Sequence, residues 1–173
     1  MLKDQGQAAF KAGQFLEAAR LFGMAAEGYT AVDDHLMAAE MANNSSVALL
    51  KSGQTAQALA AAQGTEAIFA AAGDLRRQAM ALGNQAAALD AGGQPKKALA
   101  AYRLAADLLK QTGEKEMRCY VLREVSALQV RLGRHLEAMV SMQTALDLKK
   151  DLTLSERIIN NLLKIPFRML RHS

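Results

Sequence analysis

A chain of 173 residues is long enough for one domain with a continuous core, and 51% of it is apolar. Aromatics make up only 5% and Trp is absent, so that core must be close-packed Ala, Leu and Met; two prolines and few β-branched runs argue for a nearly all-helical chain. The net charge of +4 is uneven, with 6 Lys and Arg against 8 Asp and Glu in residues 1–86 and 15 against 9 in residues 87–173. A basic C-terminal half favours acidic partners, unless its charges only solvate helix faces.

The apolar spacing predicts a short first helix over residues 2–12, interrupted at Gly6. Gly13-Gln14 turns the chain into a partner helix over 15–31 with Phe15, Ala18, Leu21, Phe22 and Ala25 inward. Asp33-Asp34 offers an N-cap for a helix over about 35–52, which carries Met37, Met41, Ala42, Ser45 and Leu49. Gly53-Gln54 turns again into a helix over 55–72, closed by Gly73 as C-cap with Asp74 as the next N-cap. A third pair spans 75–92 and 95–112, with Pro95 in the first turn of its helix, where a missing N–H costs nothing. After Gly113-Glu114 a fourth pair spans 115–132 and 135–150. Thr153 or Ser155 then caps a ninth helix that ends near 165, before Pro166.

Gly13, Gly53, Gly93 and Gly133 are spaced 40 apart without slippage, and so are Ala18, Ala58, Ala98 and Ala138. The chain is therefore a repeat of helical hairpins, with expected boundaries near 1–33, 34–73, 74–113 and 114–152 and a cap helix and basic apolar tail over 153–173. Helices joined by two or three residues are antiparallel, and hairpins that contact only their neighbours stack into a right-handed superhelix with a concave and a convex face.

The pattern Gly13-x-Phe15-x-x-Ala18-x-x-x-Phe22-x-x-Ala25 resembles the tetratricopeptide (TPR) repeat. It recurs as Gly93, Pro95, Ala98, Tyr102, Ala105 and as Gly133, His135, Ala138, Met142, Ala145, and more weakly as Gly53, Thr55, Ala58, Ala62, Thr65. The usual unit has about 34 residues. The longer period here resembles the repeats of kinesin light chain and of the G-protein-signalling modulator adaptors, the latter especially at Gly73-Asp74 with Gly83-Asn84. The resemblance implies an all-α TPR superhelix of four antiparallel hairpins plus a C-terminal capping helix, and a non-enzymatic module that binds protein segments.

It also implies that the first helix of each pair lines the concave groove. The groove residues would then be Lys3, Asp4, Gln7, Phe10 and Lys11; Glu40, Asn43, Asn44, Val47 and Lys51; Met80, Gly83, Asn84, Ala87 and Asp90; and Tyr120, Arg123, Glu124, Ala127 and Arg131. Asp4, Asn44, Asn84 and Glu124 form one polar column, although Asn is a poor helix former. A carboxamide both donates and accepts, so it can clasp the backbone of a bound peptide whatever its side chains. In the long-repeat adaptors an asparagine ladder does this, and the resemblance carries that role to Asn44 and Asn84. The carboxylate clamp of co-chaperone TPR domains would fall on Lys3, Gln7, Asn44, Met80 and Asn84, where two of three cations are missing, so a chaperone-tail reader is not expected. Lys51, Arg123 and Arg131 give the groove positive ends, which favours a mildly acidic peptide.

No Walker A loop, HExxH, CxxC or Gly-x-Ser-x-Gly motif occurs, and the three histidines lie on different units. No catalytic residue, metal site or cofactor is expected. His135 occupies the inward aromatic position of its repeat and reads as a packed core residue, as do most of the nine methionines. Cys119 is the single cysteine, which fits a reducing compartment; with no signal peptide and no apolar run of the ~20 residues a membrane span needs, a cytoplasmic location is expected. A protein or peptide partner is the expected ligand, with a homo-oligomeric scaffold, assembled through terminal helix faces or the tail, as the alternative. Nucleic acid is disfavoured. Membrane contact through the basic tail ranks low, although Phe167, Met169 and Leu170 leave apolar surface to cover.

Overall fold

A computed structural model describes the backbone of residues 1–169 and the side chains of residues 1–163. The described residues form ten helices: α1 (Leu2–Lys11), α2 (Phe15–Thr30), α3 (His35–Lys51), α4 (Thr55–Ala62), α5 (Thr65–Ala71), α6 (Leu75–Ala91), α7 (Pro95–Gln111), α8 (Lys115–Arg131), α9 (His135–Asp147) and α10 (Leu154–Met169). Each packs on its neighbours in chain order: α1 with α2, α2 with α3, α6 with α7, α7 with α8, α8 with α9 and α9 with α10. This is an all-α stack of helical hairpins.

One backbone device makes seven of the joints. Gly13, Gly53, Gly93 and Gly133 close the hairpins and Gly73 and Gly113 link them, all at positive φ, while Asp33 holds the equivalent place at φ 58. The next N–H after each reaches back five residues, as in Gln14 to Ala9 (2.9 Å), Asp34 to Tyr29 (2.9 Å) and Glu114 to Leu109 (3.0 Å). This Schellman geometry satisfies carbonyls that a helix end leaves bare. Asp34 and Asp74 then cap the next helix, accepting from Met37 N (3.0 Å) and Arg77 N (2.8 Å).

Within the hairpins, small residues let the helices approach closely. Ala18, Ala58, Ala98 and Ala138 are at most 3% exposed. The first helices carry Gly6, Ser46, Ala86 and Ser126 at a matching 40-residue spacing, all buried. Ser46 Oγ donates to Ala58 O (2.7 Å) and Ser126 Oγ to Ala138 O (2.9 Å), so two of the contacts are hydrogen-bonded as well as packed.

Four expectations need correction. α1 is continuous through Gly6, because the glycine is buried under the Phe22 ring and its lack of a Cβ serves packing. The helix expected over 55–72 is two helices. Gln63 (φ −63, ψ 128) and Gly64 (φ 80, ψ −10) form a type II turn between α4 and α5, with Thr65 Oγ1 donating to Ala62 O at 2.8 Å. Ala62 stands where Phe22 and Tyr102 fill the other hairpins, and here the large core side chain comes from further along, as Phe69 at 2% exposure. His135 begins α9 exposed to solvent instead of packing inward. Last, α10 does not stop before Pro166 but runs to Met169. Proline removes one hydrogen bond, to the carbonyl of Leu162, and Leu162 is 58% exposed, so water can replace the lost donor. The surroundings of the Phe167, Met169 and Leu170 side chains lie outside the described residues.

The core is divided. One cluster joins α1, α2 and α3 through Ala9, Leu21, Phe22 and Met41; another joins α6, α7 and α8 through Leu82, Leu99, Tyr102, Leu109 and Val125. Between them lies a thin junction of Ala39, Phe69 and Ala81, with the Arg77 guanidinium 5.2 Å from the Phe69 ring centroid.

Candidate functional site

The face formed by the first helices carries two clefts. The larger, of about 390 Å³, lies between α6 and α8 over a floor from α7. Met80, Gly83, Asn84 and Ala87 form one wall, Glu116, Met117, Tyr120 and Val121 the other, and Tyr102 and Leu109 the floor. The smaller, of about 220 Å³, lies between α1 and α3, lined by Gln7, Phe10, Lys11, Asn44 and Val47 over Phe22 of α2. Both are concave and mostly apolar with a few polar groups, the composition of a recognition site.

A Cβ on Gly83 would meet nothing within 4 Å, so the larger cleft is open where the wall residues are smallest. Burial pushes the Tyr102 hydroxyl well above its ordinary value, and the nearby Glu124 charge adds to this; Tyr120 shifts the same way for the same causes. Both phenols are therefore neutral, and each keeps a proton to donate.

The expected site residues divide into three groups. Met80, Asn84 and Tyr120 meet in the larger cleft, and Gln7 and Asn44 in the smaller one. Asn43 is 7% exposed and acts as a spacer: its Nδ2 donates to Ala39 O (3.1 Å), and its Oδ1 accepts a long bond from Asn84 Nδ2 (3.4 Å). The third group is cationic, and most of it is engaged. Lys3 Nζ donates to Glu40 (2.9 Å), Arg123 lies 3.7 Å from Glu156, and Arg131 pairs with Asp90. Lys51 stands exposed at the end of α3. The positive ends read from the sequence are thus largely neutralised by acids of neighbouring helices.

Sequence reasoning missed Tyr102, Leu109, Glu116, Met117 and Val121. The floor residues sit on a second helix, which a first-helix reading leaves out. Glu116 and Met117 lie four and three residues before Tyr120 on α8, so helical spacing alone carried the signal for them. Among the described residues, no group of His, Cys, Asp and Glu converges to hold a metal ion, and no helix is long and apolar enough to cross a membrane.

A stack of helical hairpins with a lined inner face defines a TPR-like helical-repeat protein. The family model described as soluble NSF attachment protein (SNAP) matches residues 4–161, and the chain belongs to that family. A solved structure, the MamA RS-1 ArsTM double mutant, is similar at a TM-score of 0.64 over 85% of this chain and 72% of its own, with 24% identity. That likeness concerns the fold. No curated protein matches.

Proposed function

We propose that the chain is a cytoplasmic interaction module that takes a peptide or helical segment of a partner protein along its first-helix face. The observation that carries this reading is the larger cleft: an open, apolar site of about 390 Å³ with the Asn84 amide on its wall. Among the described residues Asn84 makes one long side-chain hydrogen bond and Asn44 none, so both amides have capacity left to clasp a peptide backbone. The 40-residue period and this pair of amides support the comparison with the long-repeat adaptors, kinesin light chain and the G-protein-signalling modulators. A protein ligand also suits a family described by its attachment to another protein. The division into four repeats over 1–33, 34–73, 74–113 and 114–152, with a cap from 153, underlies the reading. The buried free thiol of Cys119 fits the reducing compartment.

The test is affinity capture of partners by the wild-type chain and by the double variant Asn44→Ala/Asn84→Ala. The variant is expected to keep its helicity and lose the partners; capture at wild-type level would overturn the role given to the amides.

A second reading, a homo-oligomeric scaffold, rests on apolar side chains left in water near the C-terminal end: Leu136 and Val140 on α9 and Leu154, Ile158 and Leu162 on α10. Light scattering over a tenfold concentration range tests it. A mass that rises above 18.6 kDa and falls back in Ile158→Glu/Leu162→Glu supports the scaffold, and a constant mass of 18.6 kDa refutes it.

A further inference from the structure

The two clefts differ in charge. Glu116 is the only charged residue lining the larger cleft, and Lys11 the only one lining the smaller. Beyond the linings the contrast continues. Glu116, Tyr120 and Glu124 follow one another at intervals of four residues, which sets both carboxylates along the same side of α8 with the cleft's tyrosine between them. Neither glutamate has an ion-pair partner among the described residues, whereas the neighbouring cations are taken: Arg131 by Asp90, and Arg123 shares Glu156 with Lys149. At the other end, Lys11 and Lys51 close α1 and α3, the helices that wall the smaller cleft, and neither is paired among the described residues. Their charges complement the helix C-termini, but both side chains are exposed and remain available to an anion.

Resting on the groove reading above, we propose that the ligand is a segment of fixed charge order: a bulky apolar side chain beside Lys or Arg at the larger cleft, and a smaller apolar side chain beside Asp or Glu at the smaller one. The volumes set the size order, since the larger cleft holds nearly twice the space of the smaller. α3 and α6 pack on one another, roughly 10 Å apart, and each cleft opens on the far side of its helix, so the cleft centres lie at least roughly 20 Å apart, the span of at least about six residues of extended chain. Apolar contact supplies most of the affinity, and the rim charges select orientation and penalise the reversed order. The mildly acidic peptide expected from the sequence suits the smaller cleft and leaves the acidic side of the larger one without a complement.

The test is selection of a phage-displayed library of random 16-residue peptides against the immobilised chain, followed by binding of the selected peptides to variants. The expected peptides carry an apolar residue next to Lys or Arg and, at least about six residues away, an apolar residue next to Asp or Glu. Glu116→Lys/Glu124→Lys should weaken them about tenfold and, when selected against, should enrich acidic residues at that anchor. Lys11→Glu/Lys51→Glu should do the converse. Peptides without this order that still lose binding on Gly83→Leu overturn the charge assignment and leave the groove reading standing. No enrichment, or peptides indifferent to Gly83→Leu, overturns both.

Discussion

Two glycines in the interior of first helices should respond in opposite directions to the same substitution. Alanine is favoured over glycine inside a helix by about 0.8–1.0 kcal/mol. At Gly83 nothing opposes this gain, since an added Cβ meets no atom within 4 Å. Gly83→Ala should therefore stabilise the chain by about 1 kcal/mol, or about 2–4 °C in Tm for a domain of this size. At Gly6 a Cβ would lie 2.8 Å from two ring carbons of Phe22, a side chain 3% exposed with no room to swing away. Overpacking of this kind costs about 1–3 kcal/mol, which exceeds the propensity gain, so Gly6→Ala should lower Tm by a few degrees. Thermal unfolding followed by circular dichroism, with both variants beside the wild type, measures the pair. Shifts of the same sign would refute the reasoning, because propensity alone would then govern both positions.

Asp33 is the one non-glycine residue at positive φ among the described residues. Asp33→Gly should raise stability by up to about 1 kcal/mol in denaturant titration, by relieving a left-handed conformation that side chains resist. Ser46→Ala and Ser126→Ala each remove a buried donor from a partner carbonyl and should each cost about 1–2 kcal/mol, read from the shift of the urea midpoint. The Glu156 carboxyl is held down to about 2 by the Lys149 ammonium first and then by the Thr153 backbone N–H, in a capping box at the start of α10. Its folded value is depressed, so its contribution is complete above the ordinary 4.5 and is lost as pH falls toward about 2. Hydrogen exchange should show α10 amides losing protection across that window in the wild type and already reduced in Glu156→Gln; protection independent of both would refute the role.

The 40-residue period was plain in the sequence because Gly at the turns and Ala at the helix crossings answer to geometry that every copy shares. The missing aromatic at Ala62 showed in the sequence as a weaker copy, but the break at Gln63-Gly64 was hidden by the helix propensity of the alanine run Ala60-Ala61-Ala62. Pro166 misled in the other direction, since an exposed helix tolerates the loss of one hydrogen bond. Which amides and cations remain available could not be read position by position. Asn43 and Asn44 are adjacent and chemically identical, and only the turn of α3 sends one into the core and the other to the cleft. The ion pairs were more accessible than they seemed. Lys3 with Glu40, Arg76 with Glu114 and Arg131 with Asp90 join residues 37, 38 and 41 apart, close to one repeat, so acids and bases offset by about a unit were candidates to meet.

The divided core gives the two clefts separate foundations. The smaller rests on the cluster that includes Phe22 and Met41, the larger on the one that includes Tyr102 and Val121, and Phe69 is the one large side chain fully buried in the small cluster between them. In stacked-repeat proteins, stability is set by each unit and by its junctions, so a thin junction lets one block open while the other stays folded. A ligand reaching both clefts acts as a splint: its binding energy is shared by both blocks and opposes the opening of either. A shortened ligand seated in one cleft protects only the block beneath it and leaves the other free to unravel at its own temperature.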